Sequence, residues 1–251
     1  MEGKINTTRV SHRFSNRLLA CLLGITVVMA IVHLIFQYLN LNVYHELNGH
    51  IFEMSNRVDF DDEASIPTWF SQFILLSIAV GAFISAYLSR PRSNKNNSRI
   101  FWLIVGGISF LLSIDEVAAL HEFVLQTVHL LTFGESGATK SNNAWVMVLP
   151  FITIGALALV WQAIRNLSKQ IVWLFVLGGA IYLAGAVGID IITNADAANN
   201  FINAGILVAI EESMELIGSS IILFAIIRHL ELNHSGKIKL ALKELRRPNE
   251  R

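Results

Sequence analysis

Long apolar stretches alternate with short polar segments along the whole chain. Six of these stretches reach about 20 residues or more, the length that an α-helix needs to cross the roughly 30 Å hydrocarbon layer of a bilayer. The pattern therefore predicts an all-α, polytopic membrane protein, a six-helix transmembrane bundle that forms a single domain over residues 1–251. The predicted spans are 18–39, 69–88, 100–131, 144–164, 171–193 and 201–227.

Two further features of the pattern concern packing and the segments between spans. Residues 40–68 carry apolar side chains at roughly helical spacing and then acidic residues at 59–63, which predicts a helix at the membrane interface followed by an acidic loop. In the fifth span, Ala180, Ala184 and Gly188 form a stripe of small residues at four-residue spacing. We expect a neighbouring helix to pack closely against this stripe.

Composition excludes an ordinary soluble domain. Hydrophobic residues make up 53% of the chain, charged residues make up 15%, and the mean hydropathy is +0.53. Cys21 is the one cysteine, so a single chain forms neither a disulfide nor a thiolate metal cluster.

The charges are sorted along the chain although the formal net charge is zero. Of the 19 Lys and Arg residues, 17 lie in the N-terminal tail, in the segments 90–99 and 165–169, or in the C-terminal tail, and only Arg57 and Lys140 fall on the other side. Cytoplasmic segments of membrane proteins carry an excess of Lys and Arg, so both termini are predicted to lie in the cytoplasm.

Two stretches place carboxylates inside predicted spans. Residues 113–122 (SIDEVAALHE) lie in the third span, and residues 211–218 (EESMELIG) lie in the sixth. A charged Asp at such depth costs roughly 2.5–3.5 kcal/mol on insertion scales, so a functional site is the default interpretation. In the predicted topology these stretches, together with His33 and Asp190, lie in one layer near the external or periplasmic face.

These acidic side chains lack basic partners, because no Lys or Arg lies in the interior of any predicted span. Carboxylates with one or two imidazoles are typical ligands of divalent metal ions, so we predict a site for iron, manganese or zinc. Two interpretations without a metal stay open: a hydrated, partly protonated cluster that joins helices by hydrogen bonds, and a proton or cation pathway. The expected ligands are Asp115, His121, Glu122, Asp190, Glu211, Glu215 and His33.

The same motifs carry a resemblance to a known family. FLLSIDEVAALHE, the acidic loop with IPTWFS (66–71), GAVGID (185–190) and EESMELIG resemble an uncharacterised family of bacterial multi-pass inner-membrane proteins, over residues 58 to 230. In the family pattern a glutamate stands where this chain has Asp190, which keeps a carboxylate but shortens its reach. The resemblance implies a location in the bacterial inner membrane and supports the acidic site, and it implies no particular reaction.

For function, the sequence favours a metal-dependent hydrolase that acts on a lipid-like or small-molecule substrate. The metal would activate a water molecule, and Glu116 or Glu212 would transfer the proton. A di-iron or di-manganese oxidative enzyme fits the ligand types, although the Glu-x-x-His signature of four-helix di-iron proteins is missing. A proton- or cation-coupled transporter and a structural membrane subunit also stay open. We expect membrane lipids as partners and no nucleic acid, and no oligomeric state is predicted.

Overall fold

The computed structural model of the protein describes residues 13–43, 49–89, 97–120, 167–189 and 201–245, together with residues 123, 127 and 192. Within these residues the structure is helical and contains no β-strand. The helices are α1 (Arg13–Val43), α2 (Gly49–Val58), α3 (Ile66–Leu88), α4 (Asn97–Ala118), α5 (Lys169–Leu183), which continues into a π-helical turn (Ala184–Ile189), and α6 (Phe201–Leu245).

Four of the helices are long and apolar enough to cross a membrane. They contain the candidate spans Phe14–Leu39, Ile66–Leu88, Ser98–Ala118 and Lys169–Ile189, which overlap the first, second, third and fifth predicted spans. The predicted sixth span lies within α6. This helix is not one of the four candidate membrane spans, and three glutamates interrupt its apolar stretch. The predicted fourth span, 144–164, lies outside the described residues.

α3 begins at two start signals that the sequence encodes. The side chain of Ser65 caps the helix by accepting a hydrogen bond of 3.3 Å from the Thr68 N–H. Pro67 occupies the first turn, where its missing N–H leaves no hydrogen bond unmade. The segment 59–65 connects α2 to α3 and ends where α3 begins. We call this segment the acidic loop.

Pairs of contacts define how the helices run. The Ser15 hydroxyl at the start of α1 donates to Glu231 in the second half of α6 at 2.9 Å, whereas His33 contacts Gly205 near the start of α6, so α1 and α6 are antiparallel. The Ser113 hydroxyl of α4 donates to the Gln72 carbonyl of α3 at 3.3 Å. The core between α3, α4 and α6 is apolar, and its large, fully buried side chains include Ile78, Phe101, Trp102, Leu216 and Ile226.

This arrangement gives the bundle two chemically different ends. The acidic loop, Glu116 and residues 211–215 lie at one end, which we call the acidic end. Arg99, Lys169 and Arg228 lie at the opposite end, which we call the basic end. The antiparallel packing therefore separates the charges along the bundle as the sequence pattern indicated.

The close approach between α5 and α6 depends on glycines outside the predicted stripe. A Cβ atom on Gly178 would lie 2.8 Å from the Gly218 carbonyl oxygen, so only glycine allows this distance. The predicted stripe of Ala180, Ala184 and Gly188 is exposed instead. The expectation was wrong because Gly178 and Gly185, two helical turns apart, present the smaller surface to α6.

Candidate functional site

At the acidic end, carboxylates from α4 and α6 share one region of the bundle. Glu116 at the end of α4 interacts electrostatically with Glu212 of α6, and Glu211, Glu215 and Asp61 of the acidic loop contribute to the same field. All four glutamates are half-buried. Like charges so placed repel one another more strongly than in water, because the surroundings have a lower dielectric constant.

Tyr182 of α5 adds a neutral donor to this group. Its hydroxyl is hydrogen-bonded to the Glu215 carboxylate, and the ring also lies within the electrostatic field of Glu116 and Glu212. Three helices thus contribute polar side chains to the same place. We call Glu116, Tyr182, Glu211, Glu212 and Glu215 the glutamate cluster.

The backbone of α5 reaches the glutamate cluster because residue 185 is glycine. A Cβ atom there would lie 2.8 Å from the Glu211 carbonyl oxygen and 3.3 Å from Glu215 Cγ. Gly185 belongs to the π-helical turn Ala184–Ile189, which directly precedes Asp190. Such turns are rare and occur frequently at functional sites.

α4 is interrupted inside the acidic motif. The helix ends at Ala118, Ala119 has a φ of 42°, and Leu120 is again helical. A left-handed conformation is strained for alanine and is a feature of functional sites, where the surrounding structure enforces it. The sequence predicted one unbroken span over residues 100–131, and the described residues 118–120 contain this interruption within it.

His33 joins α1 to the acidic loop and to α6. Its Nδ1 lies 3.2 Å from the Phe60 nitrogen and 3.3 Å from Asp59 Oδ1, and its Nε2 lies 3.3 Å from the Gly205 carbonyl oxygen. The Phe60 ring packs against the imidazole edge to face, with centroids 5.2 Å apart. Both ring nitrogens are therefore engaged with protein groups, and a metal ion would have to displace one of these contacts.

The acidic loop surrounds an open cavity of about 510 Å³ lined by Asp59, Asp61, Asp62 and Glu63. Partial burial raises the pKa of the Asp59 carboxyl. The pKa is lowered by the hydrogen bond and charge of His33 and by the N–H groups of Asp61 and Phe60. The lowering causes prevail, so the pKa of Asp59 lies below the ordinary 3.8. Asp59 is consequently ionised at neutral pH. The cavity presents negative charge beside the glutamate cluster.

Some of the predicted metal ligands lie within the described residues, and others do not. Asp115, Glu211, Glu215 and His33 are described, whereas His121, Glu122 and Asp190 lie outside the described residues. Among the residues that are described, no three His, Cys, Asp or Glu side chains are grouped closely enough to hold a metal ion. The sequence analysis missed Tyr182 and Gly185, since a tyrosine or a glycine in an apolar helix is most often a packing residue.

Comparison with known proteins gives a family without an assigned activity. A family model described as a domain of unknown function, DUF8692, matches residues 19–230, which is most of the chain. The chain belongs to the DUF8692 family. The matched region includes the acidic loop, Ala119 and the whole glutamate cluster, in agreement with the uncharacterised family expected from the motifs. No curated protein and no solved structure matches the chain.

Proposed function

We propose that the protein is a six-span protein of the bacterial inner membrane, with both termini in the cytoplasm and a divalent-metal site near the periplasmic face. The sorting of Lys and Arg to one side supports this orientation. The separation of a basic end from an acidic end in the bundle agrees with it. Bacterial origin is an implication of the motif resemblance.

The observation that supports the metal site is the electrostatic interaction of Glu212 with Glu116 and Glu215 in one region of the bundle. These described side chains are not grouped closely enough to hold a metal ion by themselves, so the proposed site needs the flanking ligands as well. Several carboxylates in a poorly hydrated place are stable only when they are neutralised, and the predicted spans supply no Lys or Arg for that purpose. A divalent cation neutralises two of them at once and uses their oxygens as ligands.

The ligand set that we propose combines described and neighbouring residues. Glu211 and Glu215 come from α6 and Asp115 comes from α4, while the remaining ligands come from the segments that follow α4 and the π-helical turn. His33 is omitted because its two nitrogens are engaged elsewhere. The flanking ligands are His121, Glu122 and Asp190.

The chemistry that we propose for this site is hydrolysis of a lipid-like substrate. A divalent metal lowers the pKa of bound water to about 7 in favourable cases and so makes a nucleophile available at neutral pH. Glu116 or Glu212 would accept the proton from that water and return it to the leaving group. The half-buried position within a membrane bundle favours a substrate that is itself held in the bilayer.

The test of the reaction uses the full chain in lipid vesicles. The protein is stripped with a chelator, reloaded separately with Fe²⁺, Mn²⁺ or Zn²⁺, and incubated with a membrane lipid extract whose products are identified by mass spectrometry. We expect cleavage products that require one of the metals and that fall at least 100-fold in Glu116→Gln or Glu212→Gln. Glu231→Gln is the matched control, because Glu231 lies on the same helix as Glu212 but at the basic end.

Each other outcome excludes part of the proposal. Metal binding without any cleavage product would retain the site and exclude the hydrolase. Metal-dependent cation or proton flux across the vesicle membrane, abolished by the same substitutions, would assign transport instead.

A further inference from the structure

A second group of polar side chains lies at the basic end, where three helices meet. The Trp102 ring of α4 and the His229 ring of α6 are in contact, with centroids 4.6 Å apart, and the Phe175 ring of α5 packs on Trp102 at 5.8 Å. Trp102 is fully buried and His229 is 7% exposed. Polar atoms on these two rings therefore need partners other than bulk water.

The outer nitrogens of both rings are donors without an acceptor. Trp102 Nε1 always carries a hydrogen and makes no hydrogen bond within the described residues, although a buried indole N–H usually has a partner. Burial, together with His234, lowers the pKa of His229 to about 4, so this ring is neutral at physiological pH. Its Nδ1 accepts from the Asn233 amide at 3.0 Å, which leaves the hydrogen of the neutral ring on Nε2. That Nε2 makes no hydrogen bond among the described residues either.

The orientation of the Asn233 amide supports this assignment. Its nitrogen also lies 3.2 Å from the His229 carbonyl oxygen, which only accepts. The amide nitrogen is therefore the atom that faces His229, and Nδ1 of the ring is an acceptor.

Arg228 adds a permanent positive charge beside His229 in the chain. Its Nε and Nη1 atoms are buried and make no hydrogen bond in the part of the chain that the structure describes. A guanidinium stays charged at physiological pH, and a buried charge is stable only when it is paired. Glu231, one turn further along α6, accepts hydrogen bonds from the Ser15 N–H and hydroxyl. We call Trp102, Arg228 and His229 the donor cluster.

We propose that the donor cluster binds a phosphate group, carried by a lipid headgroup or by free phosphate. A phosphate oxygen accepts from N–H donors, and its negative charge pairs with that of Arg228; arginine is the side chain that proteins favour for this task. A metal cation would find no ligand here, since each of the four atoms is a donor. The inference stands apart from the metal site, which we place at the opposite end of the bundle.

The level of the donor cluster along the bundle favours a lipid as the source of the phosphate. Trp102 is the third residue of the predicted span 100–131, and Arg228 directly follows the predicted span 201–227. In the proposed topology both lie where the hydrocarbon layer ends on the cytoplasmic side. Basic sites between membrane helices on that side bind lipid headgroups. Arg99 and Lys169, which are exposed at the same end, add positive charge that attracts an anionic headgroup.

The experiment titrates the full chain, freed of lipid in a neutral detergent, with phosphatidylglycerol, phosphatidylcholine or inorganic phosphate, and measures binding by native mass spectrometry. In wild type we expect phosphatidylglycerol to bind more tightly than the zwitterionic phosphatidylcholine. In Arg228→Gln its affinity should fall roughly 10–100-fold, as for the loss of a charge-assisted hydrogen bond. Arg99→Gln is the matched control, because it removes the same charge from an exposed position at the same end and should weaken binding far less.

A second variant keeps the proposal testable if Arg228→Gln does not fold. His229→Phe keeps an aromatic ring against Trp102 but removes the Nε2 donor, and we expect affinity to fall roughly 2–10-fold. Inorganic phosphate that binds with the same dependence on Arg228, and as tightly as phosphatidylglycerol, would support the site and assign free phosphate as its ligand. Absence of binding of both anionic probes, unchanged affinity in Arg228→Gln or His229→Phe, or equal losses in Arg228→Gln and Arg99→Gln would each overturn it.

Discussion

Tyr182 of α5 and Glu215 of α6 are joined by a hydrogen bond between their side chains. The bond orients a carboxylate that we propose as a metal ligand. Partners of this kind fix the ligand geometry, and their loss typically lowers metal affinity 10–100-fold.

Tyr182→Phe tests that role with the smallest change. We expect Mn²⁺ or Zn²⁺ affinity to fall roughly 10–100-fold in titrations of the purified protein while the helical content is retained. Tyr87→Phe is the matched control, since the Tyr87 ring is 70% exposed. Equal affinities in the two variants would show that Tyr182 does not position a ligand.

The packing of α5 on α6 predicts opposite effects for two adjacent glycines. Gly178→Ala places a methyl group against the Gly218 carbonyl and the backbone around Ile222, so we expect a loss of about 1–3 kcal/mol in the free energy of unfolding. Gly179→Ala meets no atom within 4 Å and should leave stability unchanged or raise it by up to about 1 kcal/mol, because alanine is the better helix former. Thermal unfolding in one detergent compares the two variants, and a similar loss in both would contradict the close approach.

The left-handed conformation of Ala119 gives a second backbone test. Ala119→Gly relieves a strain of about 1–2 kcal/mol, part of which is offset by the greater freedom of glycine in the unfolded chain, so we expect stability to rise slightly or to stay constant. Ala180→Gly, in the regular and exposed part of α5, should instead destabilise the protein by about 1 kcal/mol. The same unfolding measurement decides, and an equal loss in both variants would mean that residue 119 is helical.

His229 at the basic end predicts a pH dependence of stability. Its ring packs against Trp102 with centroids 4.6 Å apart, and burial together with the neighbouring His234 lowers its pKa from 6.5 to about 4. The unfolded chain binds a proton at His229 at higher pH than the folded chain does. The stability contributed by the neutral, buried ring is therefore complete above pH 6.5 and is lost as the pH falls towards 4. At about 1.36 kcal/mol per pH unit, the loss is on the order of 3 kcal/mol.

His229→Gln isolates this contribution from other titrating groups. We expect the variant to be less stable than wild type at pH 7.5, since it loses the ring contact with Trp102, and the difference to shrink as the pH is lowered to 4.5. Thermal unfolding at several pH values gives both curves. Parallel curves would contradict a lowered pKa at His229.

The apolar pattern predicted the helices well and their interruptions poorly. The predicted second span began at residue 69, whereas α3 begins three residues earlier at Ile66, where Ser65 caps the helix and Pro67 occupies its first turn. The break at Ala119 was not predicted, because no glycine or proline marks it in the sequence. The wrong choice of small-residue stripe in α5 has a similar cause, since a helix offers several faces and only packing selects Gly178 and Gly185.

The sequence analysis predicted a layer of carboxylates, and the metal site in it stays a prediction. Within the described residues, three helices contribute Glu116, Tyr182 and the glutamates of α6 to one region. Glu116, Glu212 and Glu215 stood out in the sequence because charge inside an apolar helix is costly. Tyr182 did not, since a neutral aromatic residue carries no such penalty. The contacts of His33 were equally hidden, because they depend on the backbone of Phe60 and Gly205.

Elemental analysis of the detergent-purified protein tests the metal site most directly. Wild type is compared with Glu215→Gln, which removes a proposed ligand, and with Glu231→Gln, which changes a glutamate on the same helix at the basic end. We predict about one or two equivalents of iron, manganese or zinc in wild type and in Glu231→Gln, and a sharp loss in Glu215→Gln at unchanged expression. Absence of metal from all three, or equal metal in all three, would contradict the proposed site.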